Sequence, residues 1–262
     1  MLLHMGKPSK SKIRLDALLV EHGLAPTRAK AQAVIMSGAV RVDGRRVDKA
    51  GTRVPPDSPV EVLQKPHPYV GRGGVKLEGA LASTGIAVEG RRCLDVGAST
   101  GGFTHCLLLN GAAHVTALDV GHGQLDASLR PDARVRVLEG VNARRLDGVD
   151  LGPPFDLAVM DVSFISAKKI IPSLKKVLAP GGQGLVLVKP QFELERREVG
   201  RGGVVRDEVL QQKAVESVRA FIEEQGFEIH GMIESPIRGA DGNREFFLHF
   251  RSPPSPIPCP KP

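Results

Sequence analysis

The feature that most constrains the fold is a recurrence of short apolar runs: Cys93 to Val96, Val115 to Leu118, Val135 to Leu138, Leu157 to Met160 and Leu185 to Val188. Each run has strand length, and the gaps between them can hold crossover helices, so the pattern predicts a parallel sheet. Two further strands, Phe227 to Ile233 and Phe246 to Phe250, are joined through the Gly-rich turn Arg238 to Asn243 with no helix between them. That connection predicts an antiparallel hairpin at the end of the sheet. A helix from about Asp207 to Gln225, with Val209, Val215, Val218 and Ile222 inward, is expected to pack on this body.

The first quarter of the chain reads differently. Ile13, Leu15, Leu18 and Leu19 recur at helical spacing up to Gly23, and a second helix opens at Pro26 and Thr27 with Ala29, Ala33, Val34 and Ile35 on one side. Val40, Val42, the Asp43–Gly44 turn and Val47 then predict a hairpin, with Val60 to Leu63 as a further strand. Charge is concentrated here. Up to Lys65 there are twelve Lys or Arg against six Asp or Glu, and afterwards 24 against 23. A compact basic module on a nearly neutral body suits a polyanion partner.

Residues Arg14-Leu-Asp, Gly23-Leu-Ala, Arg28, Ala31 and Gly38-Ala-Val-Arg-Val-Asp-Gly-Arg-Arg-Val resemble an S4 RNA-binding domain. The resemblance implies that Arg14, Arg28, Lys30, Arg41, Arg45 and Arg46 face structured RNA. The expected organisation is a loose leader (1–12), an S4-like domain (13–64), a Pro-stiffened linker (65–71), a catalytic body (72–251) and a disordered tail (252–262) with six prolines.

Composition narrows the function classes. With 41% hydrophobic and 25% charged residues among 262, the chain reads as an ordinary globular protein of one or two domains. No run approaches the ~18 apolar residues of a membrane helix, and no signal peptide is legible, so the expected location is the cytoplasm. Cys93, Cys106 and Cys259 lack CxxC spacing and the eight histidines are scattered, so neither a disulfide framework nor a metal site is expected.

The first apolar run leads into Asp95-Val-Gly-Ala-Ser-Thr-Gly-Gly-Phe103. Small residues at a strand-to-helix turn let backbone approach a ligand, and the helix that follows presents free amides. Gly97, Gly101 and Gly102 do not fit GxGxxG, which weakens a nicotinamide-dinucleotide reading. The acidic neighbours suit a cationic cofactor: Asp95 for an amino group and Asp119, 22 residues after Gly97, for ribose hydroxyls. Asn142 is a candidate for an adenine edge, and Ala98, Ser99, Thr100 and Phe103 complete the expected lining. Together with Pro180-Gly-Gly and the terminal hairpin, the α/β pattern resembles Rossmann-like S-adenosylmethionine (SAM) methyltransferases.

In an open α/β sheet, ligands collect at the carboxyl ends of the parallel strands. Asp161 and Lys189 end the fourth and fifth runs, Glu245 begins the antiparallel strand on the same edge, and Lys76 opens a helix before the first run. Lys, Asp, Lys and Glu in that order resemble the tetrad of FtsJ-like ribose 2'-O-methyltransferases. The ordered motifs GRGGVKLEGAL, DVGASTGGFT, MDVSFIS, LVKPQFE, GRGGVVRD and GNREFFLHF extend the resemblance to the TlyA family over about residues 13–250. That family implies SAM-dependent methylation of cytidine 2'-hydroxyls in 16S and/or 23S ribosomal RNA, in assembled or assembling subunits; some members carry the name haemolysin.

A ribose hydroxyl is a poor nucleophile at neutral pH, so the chemistry needs alignment and removal of one proton. Lysine acts as a base when desolvation or a second cation lowers its pKa, an effect that nearby carboxylates oppose. Lys189 is assigned the base, Lys76 the orientation of the hydroxyl, and Asp161 and Glu245 the holding of the lysines. The stretch from Pro190 to Arg206, with Arg196, Arg197 and Arg201, reads either as a mobile loop over the active site that contacts phosphate or equally as an ordered surface loop, and Arg72 as a further RNA contact. A noncatalytic ribosome-assembly factor and a haemolysin are the competing functions.

Overall fold

The computed structural model describes residues 11–36, 38–63, 67–146 and 148–254, without the side chains of Ala33 and Arg201. The expected leader up to residue 10 and the tail from residue 255, with Cys259, lie outside the described residues, as do 64–66 of the expected linker. The chain divides into two compact units between Pro68 and Tyr69. Tyr69 is buried in the core of the second unit, and the Val70 amide donates to His105 Nδ1 at 3.2 Å, so this part of the expected linker is packed.

The first unit runs β1 (Ile13–Arg14), α1 (Leu15–Glu21), α2 (Arg28–Met36), β2 (Val40–Val42), β3 (Arg45–Val47), β4 (Arg53–Val54) and β5 (Val60–Val62). Ile13, expected in the first helix, instead pairs with Val54 in the antiparallel β1–β4 ladder, and the Leu15 amide is taken by the Thr52 carbonyl. That partner lies some forty residues along the chain, where local periodicity carries no information. In α2 the buried positions are Ala31 and Ile35, while Ala29 is exposed. Thr27 Oγ1 caps this helix by accepting from the Lys30 amide. The β2–β3 hairpin turns through Asp43 and Gly44, both at positive φ, as an Asp-Gly turn favours. Leu15, Leu18, Leu19, Ile35 and Val40 close a small core.

The second unit follows as α3 (Gly73–Thr84), β6 (Arg92–Val96), α4 (Gly102–Leu109), β7 (His114–Asp119), β8 (Val135–Glu139), β9 (Phe155–Met160), α5 (Ile171–Val177), β10 (Leu178–Val188), α6 (Pro190–Glu193), α7 (Glu208–Glu224), β11 (Glu228–Glu234) and β12 (Phe246–Arg251). Its seven-stranded sheet has the order β11-β12-β10-β9-β6-β7-β8. Strands β6 to β10 are mutually parallel, and β12 is antiparallel to both β10 and β11. The hairpin expected from the Gly-rich turn is therefore present. The sheet is buried on both faces, which is why its central strands read as continuous apolar runs.

Strand periodicity sorts those runs between two cores. Leu94, Val96, Ala158, Met160, Val186, Val188, Phe246 and Leu248 pack against α5 and α7. Cys93, Leu157, Val159, Leu185, Leu187 and Phe247 join Leu77, Ala80, Leu81, Phe103 and Leu107 of α3 and α4. In α7, Gln211, Ala214, Val215, Val218 and Ile222 form the buried stripe. Val209, expected inward, is exposed because it sits in the first turn, off that stripe.

Candidate active site

The alternation that sorts the core also places the polar residues. Asp95, Asp161, Lys189 and Glu245 have the same parity as Cys93, Val159, Leu187 and Phe247, which face α3 and α4. The register aligns Val96 with Met160, Met160 with Val186, and Val188 with Phe246, so these polar residues emerge together at one end of the sheet. Helix α3 lies on that face through Leu77, Ala80 and Leu81 and brings Lys76 over it.

Four of the expected residues meet there. Lys76 Nζ lies 2.6 Å from Glu245 Oε2 and 3.7 Å from Asp161 Oδ2, and Lys189 Nζ lies 2.5 Å from Asp161 Oδ1. Asp161 thus sits between two lysines. The side chains are largely withdrawn from water, from 3% exposed for Glu245 to 19% for Asp161. Two positive and two negative groups share the cluster, so the charges compensate one another as buried ions require.

Two clefts meet at this cluster. One, of about 200 Å³, is lined by Gly97, Ala98, Ser99, Thr100, Gly102, Phe103 and Asp161. The other, of about 630 Å³, is lined by Arg72, Lys76, Phe164, Gln191, Phe192, Asp241 and Glu245 among others. Gly73, Ser163 and Lys189 belong to both. Gly97 holds φ +82°, and a Cβ there would collide with the Asp161 carbonyl, so the turn that shapes the first cleft depends on glycine.

Several expected cofactor residues stand elsewhere. Asp95 is fully buried beneath the loop and accepts from Thr104 Oγ1 at 2.7 Å, so it lies under the cleft and does not line it. Burial raises its carboxyl to about 7, and its Oδ1 has no hydrogen-bond partner. The charged groups in the cleft wall are Asp161 and its ion-pair partner Lys189, so the wall offers a pyrophosphate no unpaired cation. Asp119 accepts from the Ser99 and Gly121 amides at 2.8 and 2.7 Å, bracing the loop from the end of β7. Asn142 is exposed and accepts from the Arg144 amide in a local turn, and it too lies off the cleft wall, as does Gly101.

The expected mobile loop is built into the fold. Pro190–Glu193 is a helical turn, and Glu193 accepts from Ser166 Oγ at 2.5 Å and the Ala167 amide at 2.7 Å. Buried Asn243 accepts from the Val205 amide and donates to the Gly203 carbonyl, while Gln211 donates to Val205. Two side chains from outside the loop, Asn243 and Gln211, therefore fix its backbone, and Glu193 ties its start to Ser166 and Ala167, an arrangement that sequence spacing does not disclose. Arg196 and Arg197 are exposed, the latter paired with Glu195, and neither lines the clefts.

In the first unit Lys30, Arg41, Arg45 and Arg46 are exposed. Arg14 and Arg28 are tied to the fully buried Asp16, which also accepts from Gln32. The bidentate Arg14 guanidinium holds the Asp16 carboxyl well below the usual carboxylate range. Arg14 and Arg28 still line a basic cleft of about 660 Å³ with Lys12 and Arg53. Lys12 and Arg53 were missed by motif reading; their only sequence signal is charge.

Sequence reading also missed Phe164. It is 91% exposed, holds φ +64°, and lies 5.4 Å ring to ring from Phe192 at the wall of the larger cleft. A bulky residue at positive φ and bare to water is costly on both counts.

The FtsJ-like methyltransferase model matches residues 69–252, and the S4 domain model matches residues 13–60. The chain belongs to the FtsJ-like methyltransferase family. Among its relatives, the 16S/23S rRNA (cytidine-2'-O)-methyltransferase TlyA of Mycobacterium tuberculosis is 46% identical over 92% of this chain and 90% of its own. Hemolysin A of Brachyspira hyodysenteriae is 43% identical over 91% of this chain and 99% of its own. The solved structure of a candidate hemolysin from Streptococcus thermophilus is 42% identical, covers 95% of this chain and 92% of that one, and superposes with a TM-score of 0.73. This FtsJ-like chain joins an S4 domain to a seven-stranded methyltransferase sheet. Among the described residues no helix is long and apolar enough to cross a membrane.

Proposed function

We propose that this FtsJ-like protein methylates the 2'-hydroxyl of cytidine in ribosomal RNA, 16S and/or 23S, with SAM as cofactor. The observation that carries the reading is the meeting of Lys76, Asp161, Lys189 and Glu245 where two clefts join. The loop from Gly97 to Phe103 would hold the cofactor, with Asp161 in its wall, Asp119 bracing the loop and the Asp95 carboxyl beneath it. When bound, SAM supplies a methyl group already activated by its sulfonium.

The protein's task is then alignment and deprotonation. Lys189, present in both clefts, is the base that takes the ribose proton. Lys76, across Asp161, orients the hydroxyl, and Glu245 holds Lys76. Phe164 and Phe192 offer an aromatic face in the larger cleft, where an unstacked base can lie.

The S4 domain grips the RNA through Lys12, Arg14, Arg28, Lys30, Arg41, Arg45, Arg46 and Arg53, with Arg72 contributing beside the larger cleft. One tyrosine and no tryptophan leave phosphate contacts as the main source of affinity, so binding weakens steeply with salt. The partner is ribosomal RNA in assembled or assembling subunits, which puts the protein in the cytoplasm.

The test is methyl transfer from labelled SAM to separated small and large subunits lacking the modification, mapped by primer extension, with Lys189→Ala beside wild type. Label on a cytidine 2'-oxygen with wild type alone is expected. Unlabelled subunits despite measurable SAM binding would overturn the reading in favour of an assembly factor.

A further inference from the structure

Lys189 Nζ has a second partner besides Asp161. It donates to Ser163 Oγ at 2.9 Å, and Ser163, like Lys189, borders both clefts. We propose that Ser163 is a positioning residue that aims the Lys189 lone pair at the ribose hydroxyl. The inference rests on the ribose-methylation reading above and gives a role to Ser163, which stands in the MDVSFIS motif without one.

The argument is one of valence. An amine that is to accept a proton carries two hydrogens and one lone pair on nitrogen, and rotation about Cε–Nζ can send the lone pair anywhere on a cone. At Lys189 the hydrogen-bond acceptor is Ser163 Oγ at 2.9 Å, while Asp161 Oδ1, 2.5 Å away, is an ion-pair partner that takes no hydrogen bond. With one hydrogen held by Ser163, the lone pair is left two of the three free tetrahedral directions. Without Ser163 no hydrogen is held and the lone pair can take any of the three.

Serine suits this task because its hydroxyl both donates and accepts. It accepts while nitrogen carries the two hydrogens of the free base and the three of the ammonium, so the partner survives the proton transfer. In that transfer the ribose oxygen gives its proton to Nζ and takes the methyl group, and the S–C electron pair remains on sulfur as a thioether. Ser163 neither gains nor loses a proton in the balance.

The backbone around Ser163 is held from both sides. The N–H of Asp161, two residues earlier, donates to the Val96 carbonyl at 3.0 Å. Three residues later Ser166 and the Ala167 amide are tied to Glu193, which stands one helical turn after Lys189. The segments carrying Lys189 and Ser163 are thus bridged at two points, by Lys189 itself and by Glu193. Between the bridges lies Phe164 at φ +64°, a conformation that a bulky residue keeps only where its surroundings impose it.

The experiment compares wild type, Ser163→Ala, Ser163→Thr and Lys189→Ala as full-length proteins, by single-turnover methyl transfer to the responsive ribosomal subunit and by SAM affinity in equilibrium dialysis. Ser163→Ala is expected to lower the rate of transfer roughly tenfold or more, as loss of orientation does, with SAM affinity and melting temperature unchanged. Ser163→Thr, which keeps the hydroxyl, recovers most of that rate. Two outcomes overturn the inference alone: Ser163→Ala within twofold of wild type while Lys189→Ala is inactive, or a loss that Thr does not restore and that tracks weakened SAM binding. Lys189→Ala as active as wild type, or no transfer by wild type to either subunit, removes the methylation reading and this inference with it.

Discussion

Replacing Glu245 with glutamine should destabilise the larger unit by about 3 kcal/mol, because it leaves the buried Lys76 ammonium without its nearest counter-charge. Removing one partner of a buried ion pair costs about 3–5 kcal/mol. The lower end applies because Lys76 retains Asp161 at 3.7 Å, a carboxylate already engaged by Lys189 at 2.5 Å. For a unit of this size each kcal/mol moves the melting temperature by roughly 2–4 °C, so the transition should fall by about 6–12 °C. Calorimetry on the full chain reads this, with the smaller unit as internal reference. Lys76→Met should be destabilising too, whereas Lys76→Met combined with Glu245→Leu should recover most of the stability, since an apolar pair leaves no stranded charge. The coupling in that double-mutant cycle should be about 2 kcal/mol or more. A Glu245→Gln protein that melts within 1 °C of wild type, with no coupling to Lys76, would refute the reasoning that this ion pair holds the site together.

Further outcomes follow from the same geometry. Asp95 is raised to about 7 by burial, so between roughly pH 4 and 7 the unfolded chain is deprotonated while the native carboxyl keeps its proton, and stability falls as pH rises. Denaturant titrations should show wild type losing up to about 4 kcal/mol relative to Asp95→Asn across that window, and a flat difference would contradict it. Asp16 has the opposite sign: its lowered pKa contributes stability above about pH 4 that is lost on acidification, and Asp16→Asn should cost the S4 unit about 2 kcal/mol by thermal melting at neutral pH. A Cβ at Gly239 would collide with Glu245 Oε1, so Gly239→Ala should slow methyl transfer while SAM affinity holds in dialysis. Phe164→Ala should weaken transfer to RNA several-fold without loss of stability, because the ring is bare to water; unchanged turnover would exclude the ring from substrate binding.

Much of the fold was legible because periodicity and turn chemistry are local. Strands β6 to β10 show as apolar runs since both sheet faces are covered, and the hairpin shows because no helix separates β11 from β12. The Ile13–Val54 pairing and the exposure of Val209 were not legible, since each is decided by what packs opposite. The same division holds at the site. Their places at strand ends put Asp161, Lys189 and Glu245 on one sheet edge from the sequence, whereas the burial of Asp95 beneath its own loop depends on α4 supplying Thr104.

The sequence by itself determined the order of elements, the two-part charge distribution, the family and the cluster of Lys76, Asp161, Lys189 and Glu245. Those properties follow from residue type and spacing along one chain. Tertiary structure alone decided that Asp161 stands between both lysines, that Ser163 accepts a hydrogen bond from Lys189, and that Asn243 and Glu193 fix the segments around the cleft. Hydrogen bonds act over about 3 Å between groups tens of residues apart, and such distances are set only when the sheet, its register and the helices that cover it have been assembled.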